Sequence, residues 1–90
     1  MGPKKQDLRP IKRSVTIHGH RTSVSLEQPF WDELQRMAEG KQVSLAAFIA
    51  EVDNNRVRDA IQVGLSCHLR IAVIKNLQDA IKMLKKSSQD

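Results

Sequence analysis

The sequence predicts a mostly α-helical fold that opens with a short β-ribbon and closes with an additional C-terminal helix. Three observations carry this expectation. Between Ser14 and Glu27, β-branched and apolar residues alternate with hydroxyl-bearing ones at period two, the pattern of a half-buried strand. From Pro29 onward the apolar period becomes helical, and it restarts after Gly40 at Ser44. From Leu65 the residues Leu65, Leu69, Val73, Leu77 and Ile81 form an unbroken i+4 row, the mark of one long amphipathic helix.

Taken in order, residues 1–12 hold Gly2, Pro3 and Pro10 with little apolar content and read as a flexible basic arm. In the strand region Val15 and Ile17 share one face, and Ser14, Thr16 and His18 share the other. After Gly19 the phase shifts, so that Val24 and Leu26 are the apolar pair against Ser23 and Ser25. A bulge or a turn at Gly19 accounts equally for the shift. Pro29 suits a first helical turn capped near Glu27 or Gln28, with Asp32 and Glu33 following it. Phe30, Trp31, Leu34, Met37 and Ala38 fall on one face of that helix, and Gly40 ends it. Ser44 is an N-cap for a second helix with the buried stripe Leu45, Phe48, Ile49 and Val52, which Asp53-Asn54-Asn55 weakens or ends. The organisation expected is therefore an arm (1–12), a ribbon-and-two-helix domain (13–64) and a C-terminal helix (65–86) packed on the same domain.

Ninety residues make one domain whose core is small unless a second chain completes it. The single cysteine, Cys67, cannot form an internal disulfide. With no secretory signal or membrane-spanning run at hand, a lone thiol fits a cytoplasmic protein with no membrane partner. The net charge of +5 is unevenly placed. Six bases (Lys4, Lys5, Arg9, Lys12, Arg13, Arg21) face only Asp7 in residues 1–26, whereas residues 27–64 carry seven acids against four bases. Residues 65–90 return to five bases against two acids. Basic ends on an acidic middle suggest a surface that faces a polyanion.

An isolated strand leaves its backbone N–H and C=O groups without partners, which is costly when buried. Pairing with the same strand of a second chain about a twofold axis removes that cost. Val24, Leu26, Trp31, Leu34, Phe48 and Ile49 are then expected as the dimer core. Ser23 and Ser25 are turned outward on a two-stranded ribbon. Such a ribbon fits the DNA major groove, where hydroxyls meet base edges and flanking cations or a helix N-terminus meet phosphates.

The stretch "HRTSVSLEQPFWDELQRMAEGKQVSLAAFIAEVD", residues 20–53, resembles a ribbon-helix-helix domain of the Arc-repressor type. With "KRSVTIHG" before it and "GLSCHLRIAVIKNL" after it, the chain resembles a bacterial ribbon-helix-helix subfamily found mainly in α-proteobacteria. The resemblance implies a homodimer with an intermolecular antiparallel ribbon that binds double-stranded DNA, as a transcriptional regulator or antitoxin-like repressor. Carried over by position, Ser23 and Ser25 are base readers flanked by Arg21 or Glu27. Ser44, with the backbone N–H groups of Leu45 and Ala46, is the phosphate clamp of the second helix. Apart from the resemblance, Lys12 and Arg13, the bases leading into the strand, are expected as further phosphate contacts. The ribbon departs from the family in carrying short serines and an acid where larger amide or basic readers are common.

Other chemistry weighs less. His18 and His20, with Cys67-His68, are ligand types for a transition metal, but Cys67 and His68 point apart on a helix, so no metal and no cofactor are expected. His18 and His20 read first as solvated turn residues, the alternative being phosphate or base contacts strengthened by protonation. Trp31 falls at helical spacing with Phe30 and Leu34 and reads as core, and Cys67 reads as a small buried hydrophobe. There is no paired carboxylate, nucleophile elbow or glycine-rich phosphate loop, so no enzymatic activity is expected. The competing reading is an antitoxin-like or adaptor module whose ribbon only dimerises and whose C-terminal helix grips a partner protein.

Overall fold

The computed structural model describes residues 8–60 and 62–87. The expected arm falls largely outside them. The elements are β1 (Ile11–Ile17), β2 (His20–Leu26), α1 (Gln28–Gly40), α2 (Leu45–Arg58) and α3 (Leu65–Ser87). The architecture is the expected one, a two-stranded antiparallel ribbon followed by two helices and a further C-terminal helix.

The ribbon differs from expectation in one respect: it is complete within a single chain. β1 pairs antiparallel with β2 from Ile11 opposite Leu26 to Ile17 opposite His20. His18 (φ 53°) and Gly19 (φ 79°) form the two-residue connection. Left-handed backbone at both central positions is the signature of a type I′ turn, whose twist matches that of the flanking strands. Gly19 therefore belongs to a turn and not a bulge. The strand also starts earlier than the sequence suggests, so Ile11 and Lys12 are ribbon residues rather than arm.

Direct opposition across the ribbon places Ile11, Val15 and Ile17 on the face of Val24 and Leu26. That face lies on the helices. Val24, Leu26 and Ile17 join Trp31, Leu34 and Ala38 of α1, Phe48 and Ile49 of α2, and Leu69 and Val73 of α3 in one buried cluster. The six residues expected to need a second chain (Val24, Leu26, Trp31, Leu34, Phe48, Ile49) are thus buried by their own. Trp31 also donates from Nε1 to the carbonyl oxygen of Ile11 at 3.1 Å, fastening α1 to the start of β1.

Helix boundaries follow local chemistry. Glu27 is the N-cap of α1 in extended conformation, with Pro29 in the first turn. The α1 C-terminus closes with Gln42 N–H to Glu39 O at 3.0 Å and Val43 N–H to Ala38 O at 3.0 Å. The left-handed residue that permits this closure is Gln42 (φ 59°), not a glycine. Ser44 caps α2 as expected, its Oγ accepting from Ala47 N–H at 3.1 Å. The Asp53-Asn54-Asn55 run does not end α2. Asp53 accepts from Arg56 at 2.7 and 3.1 Å, and Arg56 reaches on to the Val63 carbonyl at 3.1 Å, so the helix runs on to Arg58. On α3, Leu69 and Val73 are buried, but Leu77 and Ile81 of the same row are exposed and so is Cys67, against expectation. No helix among the described residues is long and apolar enough to cross a membrane.

Candidate nucleic-acid interface

The ribbon face turned away from the helices follows from the register. Lys12 lies opposite Ser25, Ser14 opposite Ser23, and Thr16 opposite Arg21. These six side chains form one face of hydroxyls and cations with no acid and no large apolar group. Lys12, Ser14, Thr16, Arg21 and Ser23 are exposed, and Ser25 is half-buried. At a strand rise of about 3.3 Å per residue the face is roughly 13 Å long from Lys12 to Thr16, a size that fits a major groove about 12 Å wide. Its two cations sit at opposite corners, one near the base of the hairpin and one near its tip.

Arg21, Ser23 and Ser25 are thus brought together as expected, and Ser14 and Thr16 join them. Arg13 is not brought there. It points to the other face, where its guanidinium carbon lies 5.2 Å from the centroid of the Trp31 ring, so its cation is stacked on the core tryptophan. Lys12 and Arg13 were expected to act alike. The pleat separates them.

Glu27 does not face outward as a free acid. Arg70 of α3 donates from Nε to Glu27 Oε1 at 3.0 Å and from Nη2 to Oε2 at 3.2 Å. These hydrogen bonds, ahead of the charge attraction itself, hold the Glu27 carboxyl below its usual range. The Arg70 guanidinium also lies 5.9 Å from the Phe30 ring and reaches the Ser25 carbonyl at 3.4 Å. On the same strand edge the Ser25 N–H donates to Ser66 Oγ at 3.4 Å. The first turns of α3 therefore close the outer edge of β2 at Ser25 and remove the acid from the ribbon's field. Ser66 and Arg70 carry no signal of this in the sequence, lying 41 and 45 positions from Ser25.

At the start of α2 the Ser44 hydroxyl is already occupied by Ala47 N–H, leaving the N–H groups of Leu45 and Ala46 without an intrahelical acceptor by helix geometry. Lys41, three positions earlier, spans the Phe48 ring at 5.4 Å and reaches Glu51 at 3.5 Å. His18 and His20 are exposed at the hairpin tip. Among the described residues no three His, Cys, Asp or Glu side chains gather as metal ligands.

The family model of the ribbon-helix-helix domain matches residues 10–77, from the residue before β1 to the middle of α3. The chain belongs to the ribbon-helix-helix domain family. Domains of this family typically bind DNA as homodimers and are not enzymes. Among solved structures, an uncharacterized protein from Bordetella pertussis Tohama I is similar at a TM-score of 0.71 and 22% identity. The likeness covers 98% of this chain and 70% of that one, and at this identity it speaks for the fold. No curated protein matches the chain. In this ribbon-helix-helix chain the hairpin, the α2 N-terminus and the edge-closing α3 are all in place around one core.

Proposed function

We propose that the protein is a homodimeric DNA-binding regulator whose hairpin enters the major groove by its outward face. The observation that carries this reading is the composition of that face: Lys12, Ser14, Thr16, Arg21, Ser23 and Ser25 in three cross-strand pairs. In this reading Ser14, Thr16 and Ser23 meet base edges, where a hydroxyl can donate or accept. Arg21 contacts a guanine or a phosphate beside them, and Ser25 approaches the backbone. Lys12 and the Leu45 and Ala46 N–H groups hold phosphates, a contact that positions without reading sequence. The Arg70–Glu27 pair supports the reading by neutralising the one acid next to the face.

Short hydroxyl readers suit several base edges, so discrimination is divided among three or four of them on each hairpin. The test is selection of duplexes from a random pool, followed by anisotropy titrations across a salt series. The expected result is a recovered two-fold motif. Ser23→Ala and Ser14→Ala should weaken binding to it while leaving affinity for unrelated duplex largely intact. Equal binding of the wild type to all duplexes, abolished at physiological salt, would overturn the reading.

A further inference from the structure

We propose that Arg70 is a positioning residue for duplex reading: with Ser66 it fixes the angle of the hairpin, and so governs selectivity more than affinity. The inference rests on the DNA reading above and names a determinant of it outside the contacting face. Ser66 and Arg70 lie four positions apart on one face of α3, and buried Leu69 between them anchors that turn in the core. From there they reach three neighbouring points at once. Arg70 holds Glu27 through Nε and Nη2 at 3.0 and 3.2 Å, donates to the Ser25 carbonyl at 3.4 Å and lies 5.9 Å from the Phe30 ring centroid. Ser66 Oγ accepts from the Ser25 N–H at 3.4 Å. Both backbone groups of Ser25 are therefore engaged by α3, while its side chain stays on the outward face opposite Lys12. The Arg70 and Glu27 side chains are 34% and 26% exposed, so the pair is shielded enough to hold one geometry.

Two clasps set the hairpin's direction. Trp31 Nε1 fastens the start of β1 through the Ile11 carbonyl at 3.1 Å, and Arg70 with Ser66 fastens the end of β2. A two-stranded hairpin has little stability of its own, so its angle is decided where it joins the body. Arg21 stands four residues from Ser25, about 13 Å along the strand. A swing of about 10° at the clasp moves Arg21 by about 2 Å, beyond what a hydrogen bond to a base edge tolerates. Long readers could follow such a swing by changing rotamer. Ser14, Ser23 and Ser25 are too short to do so, which makes backbone placement decisive in this chain. Lys12 follows a phosphate through its flexible stem, so the sequence-independent part of binding survives a swing. The planar guanidinium is what the clasp uses, since a lysine ammonium cannot serve carboxylate, carbonyl and ring together. The clasp takes the Ser25 end of this strand edge. Antiparallel alternation turns the backbone groups of Arg21 and Ser23 to the same edge, where the ribbon of a second copy pairs in the dimeric reading.

The test compares Arg70→Gln and Arg70→Lys with Asp53→Ala, which breaks an ion pair on α2 and controls for lost stability. Anisotropy gives each protein's affinity for a selected duplex and for unrelated duplex, well below its melting temperature. The ratio of the two affinities is expected to fall about tenfold in Arg70→Gln, the size of one lost base contact, and by a smaller factor in Arg70→Lys. Affinity for unrelated duplex should stay within about twofold, because the phosphate contacts remain. Asp53→Ala should keep the wild-type ratio despite its own loss of stability. Residual dipolar couplings of the free proteins read the hairpin angle without DNA. That angle is expected to shift in both Arg70 variants and to stay in the control. An Arg70→Gln protein with the wild-type ratio, or with an unmoved hairpin, overturns the proposal. An equal loss of ratio in Asp53→Ala also overturns it, by making instability the cause. A wild type that prefers no duplex removes the DNA reading; a moved hairpin then leaves the positioning role standing, and an unmoved one overturns it. Should Arg70→Gln fail to fold, Arg70→Lys decides by the same two readouts.

Discussion

Arg70 grips Glu27 with two nitrogens, Nε at 3.0 Å from Oε1 and Nη2 at 3.2 Å from Oε2, across 43 positions of sequence. The pair ties α3 to the junction of β2 and α1. Glu27 is the N-cap of α1, yet its carboxylate makes no side-chain capping bond, because it is committed to Arg70. This contact makes the third helix part of the ribbon's support.

The Glu27 carboxyl is held below its ordinary value of 4.5 by the Arg70 hydrogen bonds. A carboxyl with a depressed folded-state pKa contributes stability that is present above its unfolded value and is lost as pH falls through the folded one. Stability is therefore expected to be level from neutral pH down to about 5, and to fall in the acid range below 4.5. Denaturant titrations at several pH values check this. Glu27→Gln should lower the neutral-pH stability and flatten this part of the acid dependence. An identical acid profile in the variant would mean that the pair does not couple to folding.

The turn gives an expectation of each sign. Nothing lies within 4 Å of where a Cβ on Gly19 would stand, so Gly19→Ala meets only the backbone penalty of φ 79°. That penalty should cost about 1 kcal/mol. His18 also adopts positive φ, at 53°, and Asn-Gly is the favoured pair for this turn, so His18→Asn should add a few tenths of a kcal/mol. Thermal melts of the two variants read both.

Gln42 closes α1 in the left-handed region at φ 59°, a position that glycine adopts without strain. Gln42→Gly should raise stability by roughly 0.5 kcal/mol, the gain in the cap being partly offset by glycine's greater freedom in the unfolded chain. A destabilised Gln42→Gly would mean that the Gln42 side chain does more for the fold than its backbone strain costs.

Lys12 and Arg13 are neighbours in sequence and lie on opposite faces of the ribbon. Lys12→Ala should weaken duplex binding and lower the salt slope by about 2 for a dimer, with little change in melting temperature. Arg13→Ala removes the cation over Trp31 and should cost about 0.5–1 kcal/mol of stability while leaving the salt slope nearer the wild-type value. Anisotropy and melting curves on the same preparations separate the two.

Much of the fold was legible in the sequence because its elements declare themselves by period. The strand alternation, the Ser44 cap and the α1 stripe of Trp31, Leu34 and Ala38 all stand where the residues put them. The hairpin was not legible, because His-Gly is a less familiar pair than Asn-Gly for the same left-handed turn. Without the turn, the register that unites Lys12, Ser14 and Thr16 with Arg21, Ser23 and Ser25 could not be read. The extent of α2 was hidden because Asp53 and Asn55 disfavour helix locally, while the Asp53–Arg56 pair carries the helix through. The exposure of Leu77 and Ile81 was hidden for a different reason. An apolar row shows that a helix has a face to bury and says nothing about whether its own chain covers it.

The proposed function stands on contact between DNA and the outward face of the hairpin. The most direct measurement is a two-dimensional amide NMR titration with a selected duplex at physiological salt. The largest perturbations are expected along Lys12–Thr16 and Arg21–Ser25, with a second group at Leu45 and Ala46. Perturbations confined to the basic N-terminal residues and the lysines of α3, with the ribbon amides unmoved, would contradict it.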